Sequence, residues 1–266
     1  ESMELVSFMA INASSDLAKE RGSYSSYEGS LWSQGILPLD SIEILEKQRG
    51  KDYIEVDKTT RLDWDALREK VKTQGMRNSN TMAIAPTATI ANITGLTQSI
   101  EPTYSNLFVK SNLSGEFTVI NMHLVDALKE IDMWDEVMVY DLKNLNGSLE
   151  SIARVPEDIK KLFATSFEVE PKWLIEAASR RQKWIDQSQS LNLYVSEPNG
   201  KKLDVMYRMA WLRGLKTTYY LRSRSATTTE KSTITNMELN AVKTEPKTYD
   251  QPEACSIDDP DCEACQ

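Results

Sequence analysis

Ser190-Leu-Asn-Leu-Tyr-Val195 and Leu215-Lys-Thr-Thr-Tyr-Tyr-Leu-Arg222, with Leu203, Met206, Tyr207, Ala210 and Trp211 striped between them, decide the fold. The first stretch alternates as a strand and is followed by the turn Glu197-Pro-Asn-Gly200. The apolar spacing then changes to three and four residues, as on a buried helix face, and Gly214 closes that helix before the second stretch reads as a strand. Strand, helix, strand implies parallel pairing through a right-handed crossover, so the architecture expected is an α/β sheet or barrel.

Upstream, Pro171 to Asp186 reads as a helix with Leu174, Ala177, Ala178 and Ile185 on one side. Met82-Ala-Ile-Ala85 is continuous and apolar, as for a strand covered on both faces, and runs into Pro86-Thr-Ala-Thr89 and a short helical stretch ending at Gly95. Ser2 to Lys19 places Leu5, Val6, Met9, Ala13 and Leu17 on one helical face. Asp63 to Gln74 does the same with Trp64, Leu67 and Val71 behind an Asp63 cap. Gly22 to Gly35 is a long Ser, Tyr and Gly loop of the sort that often lines a site. The six tryptophans fall mostly at stripe positions and are expected in the core. Past Ala226 the pattern collapses into Thr, Lys, Glu and Pro, which divides the chain into a folded unit, 1–228, and a flexible tail, 229–266.

With 266 residues, 40% apolar and 27% charged, the composition is that of a globular protein. No run approaches the ~18 to 20 apolar residues of a membrane span, and the start lacks a secretory pattern, so a cytoplasmic location is expected. A net charge of -9 argues against binding a nucleic-acid polymer, which needs Lys and Arg clustered in excess over acids. The chain opens at Glu1 in what reads as mid-helix, as a fragment would.

Three constellations carry chemistry. In Ala85-Pro-Thr-Ala-Thr-Ile-Ala-Asn92 a strand meets small hydroxylated residues at a helix start, where free amide hydrogens and the helix dipole attract an anion. The bland alternative, favoured by spacing alone, is that Thr87 or Thr89 caps the helix. Tyr219-Tyr220 are two neighbouring phenols, packed as strand aromatics or else able to relay an oxidising equivalent by losing an electron and a proton together. The tail holds all three cysteines, Cys255, Cys262 and Cys265, among acids that disfavour thiolate. A Cys262-x-x-Cys265 pair on a mobile end suits reversible disulfide exchange with an external reductase. Zinc is the bland alternative, but a tetrahedral site wants four ligands and the only histidine, His123, is remote. His123 itself reads as a capping or surface residue, and Glu101 as a buried structural hydrogen-bond acceptor and not an acid catalyst.

Taken together, Met76-Arg-Asn-Ser79, Ala85-Pro-Thr-Ala-Thr-Ile-Ala91, Ser99-Ile-Glu-Pro102, Leu113-Ser-Gly-Glu-Phe117, Ile185-Asp-Gln-Ser-Gln-Ser-Leu-Asn192, Leu215-Lys-Thr-Thr-Tyr-Tyr220 and the Cys262-x-x-Cys265 ending resemble the C-terminal part of the large, catalytic subunits of class Ia ribonucleotide reductases. The resemblance covers essentially the whole chain, in order. It implies the distal half of a ten-stranded α/β barrel and radical reduction of ribonucleoside diphosphates to their deoxy forms. The substrate diphosphate would lie on Pro86, Thr87, Ala88, Thr89 and Ile90, with Ile90 offering only its backbone N–H. Tyr219 would stand nearest the active-site cysteine and Tyr220 nearest the small subunit, overturning the packing alternative. Cys262 and Cys265 would re-reduce the active-site disulfide and be reduced in turn by thioredoxin or glutaredoxin. The stripe from Leu203 to Ala210 would meet the C-terminal peptide of the small subunit, which carries the metal-radical cofactor.

The departure from the family is the absence of its Asn-x-Cys-x-Glu loop and of any cysteine before Cys255. The chain is therefore expected to be inactive unless the missing N-terminal half is supplied. The competing reading is a non-catalytic module that keeps nucleotide binding or small-subunit docking alone.

Overall fold

The computed structural model describes residues 1–112 and 115–224. The elements run α1 (Ser2–Arg21), α2 (Ser41–Arg49), α3 (Trp64–Gln74), α4 (Ile90–Thr94), β1 (Leu107–Asn112), β2 (Gly115–Ile120), α5 (Met122–Glu130), α6 (Glu136–Asn144), α7 (Glu157–Leu162), α8 (Pro171–Gln182), β3 (Leu193–Val195), α9 (Gly200–Leu212) and β4 (Leu221–Ser223). Cys255, Cys262, Cys265 and the boundary expected near residue 228 lie outside the described residues.

The strand–helix–strand order forms as the periodicity predicts, but both strands are shorter than expected: β3 covers only the last three residues of 190–195, and β4 begins at Leu221, six residues after the expected start, leaving Tyr219 and Tyr220 ahead of it. β3 pairs parallel with β4, Leu193 opposite Leu221, and α9 crosses between them. On the other edge of the same strand Ile84 makes a parallel bridge to Gln189. Residues 187–195 are thus the middle of a parallel trio, and Leu191 to Val195 are all buried instead of alternating, because both faces are covered. α8 and α9 supply one cover through Leu174, Ile175, Ala178, Met206 and Ala210. The strand expected at 82–85 is reduced to the single bridge at Ile84, and the segment is less enclosed than expected: Met82 and Ile84 are half-buried while Ala83 and Ala85 are exposed, since one face carries nothing among the described residues. β1 and β2 form a separate antiparallel hairpin, Leu107 opposite Ile120, beside a core of Leu124, Leu128, Met138 and Leu142 from α5 and α6. The described strands close no barrel.

α1 corrects the sequence reading most. Its apolar stripe faces outward, Leu5, Val6 and Met9 each being more than half exposed, while the face against α3 carries Glu4, Ser7, Ile11, Ser14 and Ala18. Small polar side chains let the backbones approach, and their bonds are satisfied except at the fully buried Ser15 hydroxyl, which has no partner among the described residues. Glu4 Oε1 accepts from Arg61 N (2.7 Å), Leu62 N (3.2 Å) and Trp64 Nε1 (3.1 Å), and the Ser7 hydroxyl donates to Trp184 O (2.5 Å). Burial pushes the Glu4 carboxyl up, but these donors outweigh it and leave the group below the usual range.

α3 has the expected cap, Asp63 Oδ1 accepting from Ala66 N at 3.0 Å, and buries Trp64, Leu67 and Val71. It stops at Gly75, whose φ of 84° places a would-be Cβ 2.0 Å from the Ser23 hydroxyl. α8 ends at Gln182, four residues short of the expected end, because the chain turns there. The buried Lys183 ammonium leaves the helix to donate to Asp57 O, Asp57 Oδ1 and Thr59 O. Ala177, Tyr207 and Trp211 lie on the outer sides of their helices. Of the tryptophans, Trp32, Trp64 and Trp184 are core, Trp134 is half-buried, and Trp173 and Trp211 are exposed. The Gly22 to Gly35 loop is packed structure: the Tyr27 hydroxyl donates to Val71 O and the Trp32 indole to Ser79 O. No helix among the described residues is long and apolar enough to cross a membrane.

Candidate functional site

The segment at 82–85 delivers Pro86 to a turn. Thr87 adopts φ 52°, its carbonyl accepts from Ala91 N (2.8 Å), and its hydroxyl oxygen accepts from Ser99 N (3.0 Å), which also donates to Pro86 O (3.2 Å). Thr89 occupies the N-cap of α4 but makes no side-chain cap bond. The capping role that spacing favours is therefore not how the hydroxyls are used. Ala88, Thr89 and Ile90 face solvent at the start of a one-turn helix closed by Gly95. An anion approaching that rim would meet the Thr89 hydroxyl and backbone amides.

Asp186 fixes where this turn sits. Its carboxylate accepts from Thr81 N (2.6 Å) and Met82 N (2.8 Å), and Lys216 Nζ closes the same corner by donating to Ile185 O, Asp186 O and Gln187 O. Burial holds the Lys216 amine below its usual range, with Asp186 opposing that shift.

Beyond Ser99 the chain buries Glu101, as the sequence suggests. Its carboxylate accepts from Asn192 N (2.7 Å), Asn192 Nδ2 (3.0 Å) and the Tyr194 hydroxyl (3.1 Å). Burial first, then the Glu101 charge, pushes the Tyr194 phenol up to about 12.

Tyr219 and Tyr220 enter β4 from its N-terminal side. The Tyr219 hydroxyl donates to the Tyr220 hydroxyl at 3.3 Å, with ring centroids 4.1 Å apart and planes at 48°. Neighbours on a regular strand point to opposite faces, so two rings in contact mark a departure from the pleat just before Leu221. Neither ring is core: Tyr219 is 46% and Tyr220 53% exposed. The hydrogen bond to Tyr220 is the main cause that raises the Tyr219 phenol above its ordinary value. The Arg222 guanidinium stands 5.4 Å from the Tyr220 ring centroid. Two phenols sharing a hydrogen bond can pass a proton as an electron passes between their rings.

A groove of about 600 Å³ between α8 and α9 is lined by Lys172, Trp173, Glu176, Arg180, Met209 and Arg213. It is not the stripe Leu203 to Ala210 as a whole: Met206 and Ala210 are buried in the core and only the Met209 side borders the groove. His123 is exposed in the first turn of α5. Sequence reading missed Asn192, Asp186 and Lys216. An Asn inside the apolar run Leu191 to Val195 was the available signal, since a buried amide in a central strand needs partners.

The family model described as "Ribonucleotide reductase, barrel domain" matches residues 1–221. The ribonucleoside-diphosphate reductase subunit alpha of Chlamydia muridarum is 60% identical over 233 residues, covering 88% of this chain and 22% of that protein. The subunit alpha of Chlamydia trachomatis is 53% identical over 279 residues, covering 100% and 26%. The large subunit of Plasmodium falciparum is 41% identical, covering 90% and 29%. Among solved structures, the Actinobacillus ureae class Id ribonucleotide reductase alpha subunit aligns with a TM-score of 0.52 at 27% identity, covering 82% of this chain and 35% of that one. The chain spans about a quarter of the length of these curated relatives.

Proposed function

The chain belongs to the ribonucleotide reductase large-subunit family, and from that premise we propose that it contributes the distal half of the ten-stranded catalytic barrel of a ribonucleoside-diphosphate reductase, with residues 229–266 as a redox tail. The reaction exchanges the ribose 2′-hydroxyl for hydrogen, releases water and oxidises two thiols to a disulfide. In this reading Pro86 to Ile90 hold the substrate's diphosphate at the start of α4, through the Thr89 hydroxyl and backbone N–H groups. Tyr219 and Tyr220 carry the oxidising equivalent inward, each phenol giving up an electron and a proton as the equivalent arrives and regaining both as it passes to the next group, with the same exchange run in reverse on the way back. Cys262 and Cys265 deliver electrons from thioredoxin or glutaredoxin to the spent active site. The basic, tryptophan-bearing groove between α8 and α9 is where the C-terminal peptide of the radical-bearing small subunit docks, with Leu203 to Ala210 behind it.

The observation that carries the reading is the solvent-side phenol couple, Tyr219 on Tyr220 at 3.3 Å, on the strand beside the one that fixes the Pro86 turn. A core packing role would have buried both rings. The test is the enzyme assembled from this chain, a polypeptide supplying the missing half, and a radical-bearing small subunit. Tyr219→Phe and Tyr220→Phe should each abolish deoxynucleotide formation while leaving the unfolding midpoint near wild type, because both rings keep their shape. Wild-type turnover in either variant refutes the relay. Persistent inactivity of the wild-type assembly favours the non-catalytic module.

A further inference from the structure

The middle strand of the parallel trio has two edges that take different partners. On one edge Tyr219 N donates to Leu191 O at 2.7 Å and Leu193 N donates to Tyr220 O at 2.9 Å. On the other edge Ser190 N donates to Ile84 O at 2.8 Å, after which the neighbouring strand turns away at Pro86. The next donor on that edge, Asn192 N, goes to Glu101 at 2.7 Å, so a side-chain carboxylate takes the place of the missing strand carbonyl. The other carboxylate oxygen accepts from Asn192 Nδ2 at 3.0 Å and orients that amide so that its oxygen accepts from Tyr220 N at 3.3 Å. Glu101 is 7% exposed, and every group facing its carboxylate is a donor.

We propose that Glu101 is the positioning residue of the tyrosine couple: through Asn192 it fixes the backbone of Tyr220 and so the place where the two phenols meet. The inference rests on the relay reading of Tyr219 and Tyr220. Two residues before Glu101, Ser99 N holds the Thr87 hydroxyl, so one short segment locates both the anion turn and the couple.

Replacing Glu101→Gln turns one acceptor oxygen into a donor and sets it against Asn192 Nδ2 and the Tyr194 hydroxyl. The double change Glu101→Gln with Asn192→Asp reverses the polarity of the contact between the two side chains, the new amide donating to the new carboxylate, and keeps an oxygen for Tyr220 N; of the three donors to Glu101, only the Tyr194 hydroxyl is left without its acceptor there. In the 266-residue chain carrying ¹³C-labelled tyrosine rings, the single variant should return the Tyr219 phenol toward ordinary titration, and the double variant should restore the wild-type signal. In the assembled enzyme the single variant should lower kcat by about 10- to 100-fold, the loss expected from misplacing reacting groups by about an ångström, with KM for the ribonucleoside diphosphate changed less than about twofold. The double variant should recover most of kcat. Unchanged tyrosine signals in the single variant, or no recovery in the double, overturn the proposal. If the single variant does not fold, the double decides: a folded chain with the wild-type couple supports it, and a folded chain without the couple sinks it. Should Tyr219→Phe prove active, the relay reading fails, while the tyrosine signals still decide whether Glu101 places the couple.

Discussion

Asp186→Ala is the substitution whose cost the structure lets one work out. Among the described residues, the segment at 81–84 is fastened to the strand beside it by Gln187 N to Met82 O, Ile84 N to Ser188 O and Ser190 N to Ile84 O, and otherwise by Asp186. Removing the carboxylate strands the Thr81 and Met82 amides. Hydrogen bonds to a charged group contribute about 1.5 to 3 kcal/mol each, and the site is only half-buried, so water recovers part of the loss. The expected destabilisation is about 2 to 4 kcal/mol for Ala and about half of that for Asn, which keeps one acceptor oxygen. Urea unfolding followed by tryptophan fluorescence reads it directly, because Trp184 lies two residues away, stacked on Trp64 with centroids 5.5 Å apart. In the assembled enzyme the same variant should raise KM for the ribonucleoside diphosphate more than it lowers kcat, since it loosens the turn and not the phenols. A loss below about 1 kcal/mol, or an Asn variant no better than Ala, would show that the backbone pairings alone hold the turn.

Further outcomes follow from other sites. Hydrogen bonds from Arg154, and then from Met138 N, lower the Asp135 carboxyl to about 2. A group depressed on folding stabilises above its unfolded value of about 4, and that contribution should fade as pH falls toward 2, so Asp135→Asn should flatten the acid limb of stability in that window. Gly147→Ala should cost several kcal/mol or prevent folding. Its φ is 76° and a Cβ would lie 2.6 Å from both Asn106 N and Leu107 N, which thermal melting will show. Cys262→Ser or Cys265→Ser in the assembled enzyme should abolish turnover driven by thioredoxin yet spare a single turnover of a pre-reduced active site; full thioredoxin-driven rates would remove the tail from the mechanism.

The legible parts of the fold were those in which one residue decides one local feature. Asp63 ahead of Trp64, Leu67 and Val71 specifies a capped amphipathic helix, and the change of apolar period between Val195 and Leu203 specifies a crossover. The α1 stripe was legible as a helix but not as to which side is inward. That choice depends on Glu4 meeting the amides of Arg61 and Leu62, far along the chain. The β1–β2 hairpin left no mark because most of its described side chains are exposed on both faces and show no alternation. At the site, the burial of Glu101 could be anticipated but its partner could not. Asn192 is 91 positions away, and nothing near either residue states the pairing.

The outward ridge of Leu5, Val6, Met9 and Leu17 on α1 also governs how the molecule behaves in a test tube. Ammonium sulfate strengthens hydrocarbon association, so the protein should salt out early for its net charge of -9, and mild detergent should keep it dispersed. Anyone handling it alone is handling an oily spine, and purification resins with phenyl or butyl groups should retain it tightly.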